Sequence, residues 1–580
     1  MRVIDLIHQL LPAGTDAAYL VDPPTTAVLK RPGGAQATFP NYSLCPVWPP
    51  DLFAVVGTII DRTGCYTRAS PDRIFLAHHD KYLSDVISIA ASWDSMIRVP
   101  QAVQNLWHLL VSNHGKVPLE DVCTLDGVSD TLLMLFAIAD EASAGMGWDF
   151  DPENPAATEF ALNVVVNAVL DEDDIDEFRL PHWPSSLCGI VSPNHVIVLP
   201  KSITTTKGCT IRSLSHHLAL LPCQTMLEPS WQLVSRFEET RTTEQMNLLL
   251  VPFPFELPAG SFKLTSPRQS LSNGTTLAAY FGLQQDWLKL SDGEMISGAD
   301  LARQLVIPLI NAATRKSGAT PTGVVLPECA LSQGVAEQLV TALAKTGIEF
   351  LITGVLEQDP ASGRWLNSAK TYSFVGPNVV VSMRQSKHHR WRIDKAQATS
   401  YGLDFDPDKT NSQWWEDIDV SRRQLPFYAV RRDMSMVTLI CEDLARMDPA
   451  MNAIRAVGPN LVIALLMDGP QLATRWPGRY ASVLGDEPGC AVLTVTCAAT
   501  VDLSNNNFKT GNPNAVLTRT VARWTQADGH SNSIDLADGD LGVLVTVQSK
   551  PKHQTTLDNR SDRSSSRELS FLSSSSLGLK

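Results

Sequence analysis

Val437-Thr-Leu-Ile-Cys441-Glu-Asp443 sets four β-favouring or apolar residues in front of a cysteine and two acids. A cysteine is commonly a small buried hydrophobe. At the tip of a strand, beside polar residues, it also suits a nucleophile on a tight turn. Downstream, Asp448 and Pro449 fit the N-cap and first position of a helix running to Val457. Strands are expected at Leu461 to Leu466, Ala491 to Thr496 and Leu541 to Val547. Upstream, NLLLVPFPF (Asn247 to Phe255), Val324 to Leu326, Phe350 to Val355 and Val379 to Met383 have the same strand character. Amphipathic helices are expected at Ala299 to Thr314 and Val335 to Lys345. Strands alternating with helices of this length imply an α/β fold in which helices cover a sheet.

Two more patterns lie upstream of the cysteine. In Gly323-Val-Val-Leu-Pro-Glu328 an apolar strand delivers a carboxylate at its end, where α/β proteins set their chemistry. A surface glutamate at the start of a loop would read the same way. In the second pattern Asn367-Ser-Ala369, suited to a turn, is followed by a strand and by Lys387-His-His389. The strand would carry Lys387 inward, or the basic group would form a solvated edge.

Taken in order, Pro-Glu, Lys-x-His and strand-Cys-x-Asp resemble the nitrilase superfamily of carbon–nitrogen hydrolases. The resemblance spans roughly residues 245 to 549. It includes the opening strand NLLLVPFPF, the strand FLITGV and the Asn367-Ser-Ala369 turn, and CED is similar to the cysteine motif of glutamine-hydrolysing members. It implies an α-β-β-α sandwich, often assembled into dimers or larger spirals, so a homo-oligomer is expected. It also implies a catalytic set in which Cys441 attacks an amide carbonyl, Glu328 moves the proton, and Lys387 with the backbone N–H of Glu442 stabilises the oxyanion. No metal and no organic cofactor are implied, and the expected substrate is a small-molecule amide. The family's second, supporting glutamate has Glu416 as its candidate here. The stretch from Lys387 to Cys441 is longer than usual and contains Trp414 and Trp415, and the family's arginine-asparagine pairing is not evident around Arg479 to Asp486. The competing readings are acyl transfer to an amine and a nitrilase-fold scaffold or regulatory subunit.

The whole chain has 580 residues, which implies more than one domain. Hydrophobic residues make up 44% and charged residues 19%, a globular balance. The net charge of -14 argues against nucleic acid or anionic lipid as a direct partner. Ten cysteines without a Cys-x-x-Cys pair argue against a zinc ribbon or a disulfide framework. MRVIDLIHQLLPAGTD has no long apolar core of a signal peptide, and the apolar run Leu132 to Ala139 is too short for a bilayer, so a cytoplasmic protein is expected.

Residues 1 to 240 are expected to form a mainly helical domain, with helices at Gln101 to Ser112, Asp130 to Ala142 and Ala156 to Leu170. Its default role is docking a protein partner. Arg212-Ser-Leu-Ser-His-His-Leu218 resembles sequences accompanying nitrilase domains in bacterial antiviral reverse-transcriptase systems. That resemblance implies a place in antiviral defence. His216 and His217 read as the start of a helix with a structural role. Asp171, Asp173 and Asp174 suit a solvated acidic loop better than a metal site. Residues 550 to 580, rich in serine, are expected to be a disordered tail.

Overall fold

The structure is a computed structural model, and it describes residues 1–11, 19–22, 26–29, 45–69, 76–93, 99–148, 181–223, 226–234, 244–258, 260–274, 277–376, 379–406, 411–431, 433–512, 517–561 and 566–579. The helix expected at Ala156 to Leu170 and the acidic run after it lie outside the described residues.

Two sheets stack face to face. One follows the order Val379–Ser386, Trp365–Gly376, Phe350–Gln358, Gly323–Val325, Gln245–Leu250, Gly542–Lys552, Ser566–Leu577. The other follows Ser531–Asp535, Thr520–Thr525, Ala491–Thr496, Leu461–Leu466, Met434–Ile440, Gln424–Arg431, Glu228–Leu233. Strand side chains alternate between faces, and here each face finds its own core. Leu248, Leu250, Ile352, Met436, Ile440, Ile463 and Leu465 meet between the sheets. Their neighbours Leu249, Val324 and Leu351 pack outward on Ile307–Ser317 and Gln333–Leu343. On the other side Val437, Leu439, Val462 and Ala464 pack on Met451–Val457 and Trp476–Asp486. The result is the expected α-β-β-α sandwich, whose parallel central strands are largely apolar because both faces are covered.

Several local expectations change. The helix after the cysteine begins at Met451 with Ala450 as N-cap, not at Pro449. Asn367 and Ser368 lie within the strand Trp365–Gly376, because the whole segment pairs antiparallel with Phe350–Gln358. His216 and His217 do not start a helix; they precede the strand Leu218–Pro222. The serine-rich end is not disordered over Ser566–Leu577, which pairs along its length with Gly542–Lys552. Its serines occupy an edge strand held by backbone hydrogen bonds, while Leu569 and Leu577 are buried. With Glu228–Leu233 beside Gln424–Arg431, the sandwich therefore reaches past 245 to 549 on both sides.

The N-terminal part is mainly helical. Pro49–Thr63 and Asp126–Ala142 pack at its centre, where Phe53 and Phe136 stack with ring centroids 4.4 Å apart. The hairpin Val196–Pro200 and Leu218–Pro222 joins this part to the sandwich. Its alternation serves two cores: Val196, Val198, Leu218 and Leu220 face the helices. Ile197, Leu199, Ala219 and Leu221 face the outer layer of the second sheet.

A buried ionic knot lies at the same junction. Arg560 donates to Asp140 at 2.9 Å, Glu141 at 2.7 Å, Asp558 at 2.9 Å and the Leu214 carbonyl at 2.5 Å. Asp140 also accepts from the backbone N–H groups of His216, His217 and Leu218. Burial alone would favour the neutral acid, yet Arg560 and His217 hold Asp140 below its ordinary range. Among the described residues, no helix is long and apolar enough to cross a membrane.

Candidate active site

Three strand ends and one short accessory strand converge. The strand Gly323–Val325 runs into Pro327 and Glu328, and Glu328 is 3% exposed. This bend presses against Gly354. A Cβ there would lie 2.4 Å from the Pro327 carbonyl oxygen and 2.5 Å from the Glu328 Cα. Only glycine lets the neighbouring strand approach so closely. Gly354→Ala is therefore expected to shift Glu328, lowering stability by about 1–3 kcal/mol and slowing any reaction that needs the carboxylate. A denaturation midpoint and a Cys441 alkylation rate both at wild-type values would refute this.

Lys387 follows the strand Val379–Ser386, and its backbone N–H bonds to the Asn367 carbonyl at 2.8 Å. Its ammonium is 1% exposed. It donates to Glu328 Oε1 at 2.8 Å and to Glu416 Oε2 at 2.7 Å. Glu416 comes from Gln413–Glu416, in a four-stranded accessory sheet with Arg392–Asp394, Ala279–Leu283 and Phe262–Ser266. Asn367, near the start of its strand, donates one side-chain amide to both acids, at 2.8 Å to Glu328 and 3.0 Å to Glu416. The Trp391 N–H adds a 3.0 Å bond to Glu416. One ammonium is thus shared by two buried carboxylates, whose positions are fixed by an amide.

Burial pushes the Glu328 carboxyl up, Lys387 pulls it down, and the repulsion of Glu416 helps to leave it raised. Burial works against the charged form of Lys387, but Glu328, Glu416 and Cys441 together hold its pKa well above normal.

Cys441 follows the strand Met434–Ile440 at φ 45°, in the left-handed region that side-chain-bearing residues seldom adopt. Cys329, next to Glu328, has φ 54°. Two side-chain-bearing residues in this strained region thus flank one buried cluster, and such strain is commonest at functional sites. Burial, then Glu328, push the Cys441 thiol well above its usual pKa, with Lys387 opposing them. These shifts favour the neutral thiol, which would need a base beside it to act as a nucleophile.

The short helix Cys441–Ala445 begins at the cysteine. The Glu442 side chain pairs with Arg446, which leaves its backbone N–H, in the first turn, for the role expected of it. Asp443 was not singled out from the sequence. It is buried and accepts from the backbone N–H groups of His388, at 3.0 and 3.1 Å, and of His389, at 3.0 Å. One carboxylate thereby ties the cysteine turn to the lysine turn. The strand-Cys-x-Asp pattern contains this acid, but a local pattern does not show the backbone N–H groups of the distant lysine turn that it accepts.

Around this centre lies an aromatic shell of Phe262, Phe281, Phe405, Trp391 and Trp414. Tyr401 extends it, 6.2 Å from Trp391, and donates its hydroxyl to Asp468.

No protein-family model matches the sequence, and no curated protein matches it. Solved structures do match in shape. Nit3 of Saccharomyces cerevisiae, a nitrilase-superfamily member, has a TM-score of 0.31 and 11% identity, over 52% of this chain and 90% of that one. An amidase from Nesterenkonia sp. has 0.30 and 12%, over 54% and 92%. A CN-hydrolase superfamily protein from Xanthomonas campestris has 0.28 and 13%, over 52% and 90%. The structural neighbours of this chain are thus nitrilase-superfamily proteins, and its own sheet order defines the fold.

Proposed function

We propose that the chain hydrolyses a carboxamide through a thioester on Cys441. The supporting observation is the buried Lys387, shared by Glu328 and Glu416 and electrostatically coupled to the thiol. Glu328 takes the thiol proton as Cys441 Sγ bonds to the carbonyl carbon. Negative charge moves onto the carbonyl oxygen, where Lys387 and the Glu442 N–H offset it. The carbonyl re-forms, the C–N bond breaks, and the proton on Glu328 leaves with the amine. Water then gives a proton to Glu328 and its hydroxide to the thioester carbon. The C–S bond breaks, the acid departs, and the proton returns to sulfur. Glu416 and Asn367 are positioning residues, since they hold Lys387 and Glu328 in place.

Alkylation by iodoacetamide, followed for each cysteine by peptide mass spectrometry, tests this without a known substrate. Cys441 should react at least about tenfold faster than the other buried cysteines Cys490 and Cys497, with a pH profile displaced by Glu328→Gln. Ammonia release from a panel of small amides should vanish in Cys441→Ser. A Cys441 as inert as Cys490 and indifferent to Glu328→Gln would overturn the proposal.

A further inference from the structure

Asp468 lies beside the nucleophile without belonging to the set above. The strands Met434–Ile440 and Leu461–Leu466 run parallel, with Ile440 opposite Leu465. Cys441 therefore comes level with Leu466, and Asp468 follows two residues on. The Asp468 side chain is 6% exposed. Its Oδ1 accepts from Arg475 at 2.6 Å and from Tyr401, while its backbone N–H bonds to Thr496. Its Oδ2 is buried with no hydrogen-bond partner among the described residues. A buried carboxylate oxygen left without a donor is costly and calls for a partner that the described residues do not supply.

The charge balance says which ligand. Near Cys441 the carboxylates of Glu328, Glu416 and Asp468 face the cations Lys387 and Arg475. Asp443 is a further acid, answered by backbone N–H groups and His389. The set has more negative than positive charge, and the side chain of Arg475 is partly open to solvent at 29%. A bound cation would balance it where a neutral N–H would only fill the hydrogen bond. Asp468 is also one of the charges that keep the Cys441 thiol protonated, so a cation there would ease the formation of the thiolate.

We infer that Asp468 is a substrate-recognition residue, and that the amide cleaved at Cys441 carries an ammonium group bound by Asp468 Oδ2. This rests on the amidase reading and narrows its substrate class. The Arg475 and Tyr401 contacts hold Oδ1, orienting the carboxylate so that Oδ2 is presented to the ligand.

The test compares alkylation of Cys441 by cationic 2-bromoethylamine and neutral iodoacetamide in the full chain. The exposed Cys209 is the internal reference. The cationic-to-neutral rate ratio at Cys441 should exceed that at Cys209 by about tenfold or more, as expected of a charge-assisted hydrogen bond. Asp468→Asn should bring the two ratios together, and Asp468→Glu should retain part of the preference. The wild-type ratio stands alone if a variant does not fold. Equal ratios at Cys441 and Cys209 in the wild type, or a preference untouched in a folded Asp468→Asn, would overturn the inference and leave a fast-reacting Cys441 as an amidase nucleophile. A Cys441 inert to both reagents would overturn the amidase reading and this inference together.

Discussion

Lys387→Met is expected to lower amide turnover by about 100- to 1,000-fold or more and to slow Cys441 alkylation with it. Two consequences combine. The oxyanion loses its cationic partner, and Glu328 and Glu416 lose the ammonium they share in a buried site. Lys387 now pulls the raised Glu328 pKa down, so its removal should raise that pKa further. Glu328 acts as a base only when deprotonated, so the acid limb of the alkylation profile should move to higher pH in the variant. Leaving two buried carboxylates without their ammonium should also cost about 3–5 kcal/mol of stability. Alkylation across pH, with a denaturation curve on the same sample, separates the effects. If folded Lys387→Met reacts at the wild-type rate with an unmoved acid limb, the lysine plays no part in arming the thiol.

Arg560→Met should have the largest effect on stability away from the active site. The guanidinium is 2% exposed and answers Asp140, Glu141 and Asp558 together. Removing one partner of such a group typically costs about 3–5 kcal/mol, because the remaining charges stay buried. The loss should fall on the junction. Limited proteolysis should release the helical part early, and the thermal transition should broaden or split. The sign with pH is set by the acids. Asp140 and Glu141 have pKa values lowered on folding, so their contribution is present above the ordinary carboxylate range and is lost as pH falls below that range through their depressed values. The wild type should therefore approach the variant in acid. A wild-type thermal profile in Arg560→Met at neutral pH would refute this role.

Much of the sandwich was legible because its signal is local. Apolar strands of the right length, each ending in a polar residue, announce strand ends and the chemistry on them. Glu328, Lys387 and Cys441 are candidates on such patterns taken in order, and Glu416 is one from its place between the lysine and the cysteine. The order of the motifs added the rest. What was not legible depends on contacts between distant segments. Asn367 read as a turn residue because asparagine favours turns, but the pairing of its whole segment puts it within a strand, where one amide reaches two acids. The burial of Asp443 and Asp468 is likewise set by the convergence of strand ends, which no local pattern shows. The serine-rich terminus misled for a related reason. Composition measures what side chains can bury, whereas an edge strand needs mainly its backbone and a neighbour.

The knot at Arg560 has a consequence for synthesis. Arg560 lies 420 residues beyond Asp140 in the chain. At ordinary translation rates roughly 20–80 s separate their emergence from the ribosome. Through that interval the nascent helical segment must hold Asp140 hydrated or screened by other means, and its final packing waits for one late arginine. A protein made in this order matures from its far end backwards, and a ribosome stalled before Arg560 would carry an N-terminal segment that had not yet closed.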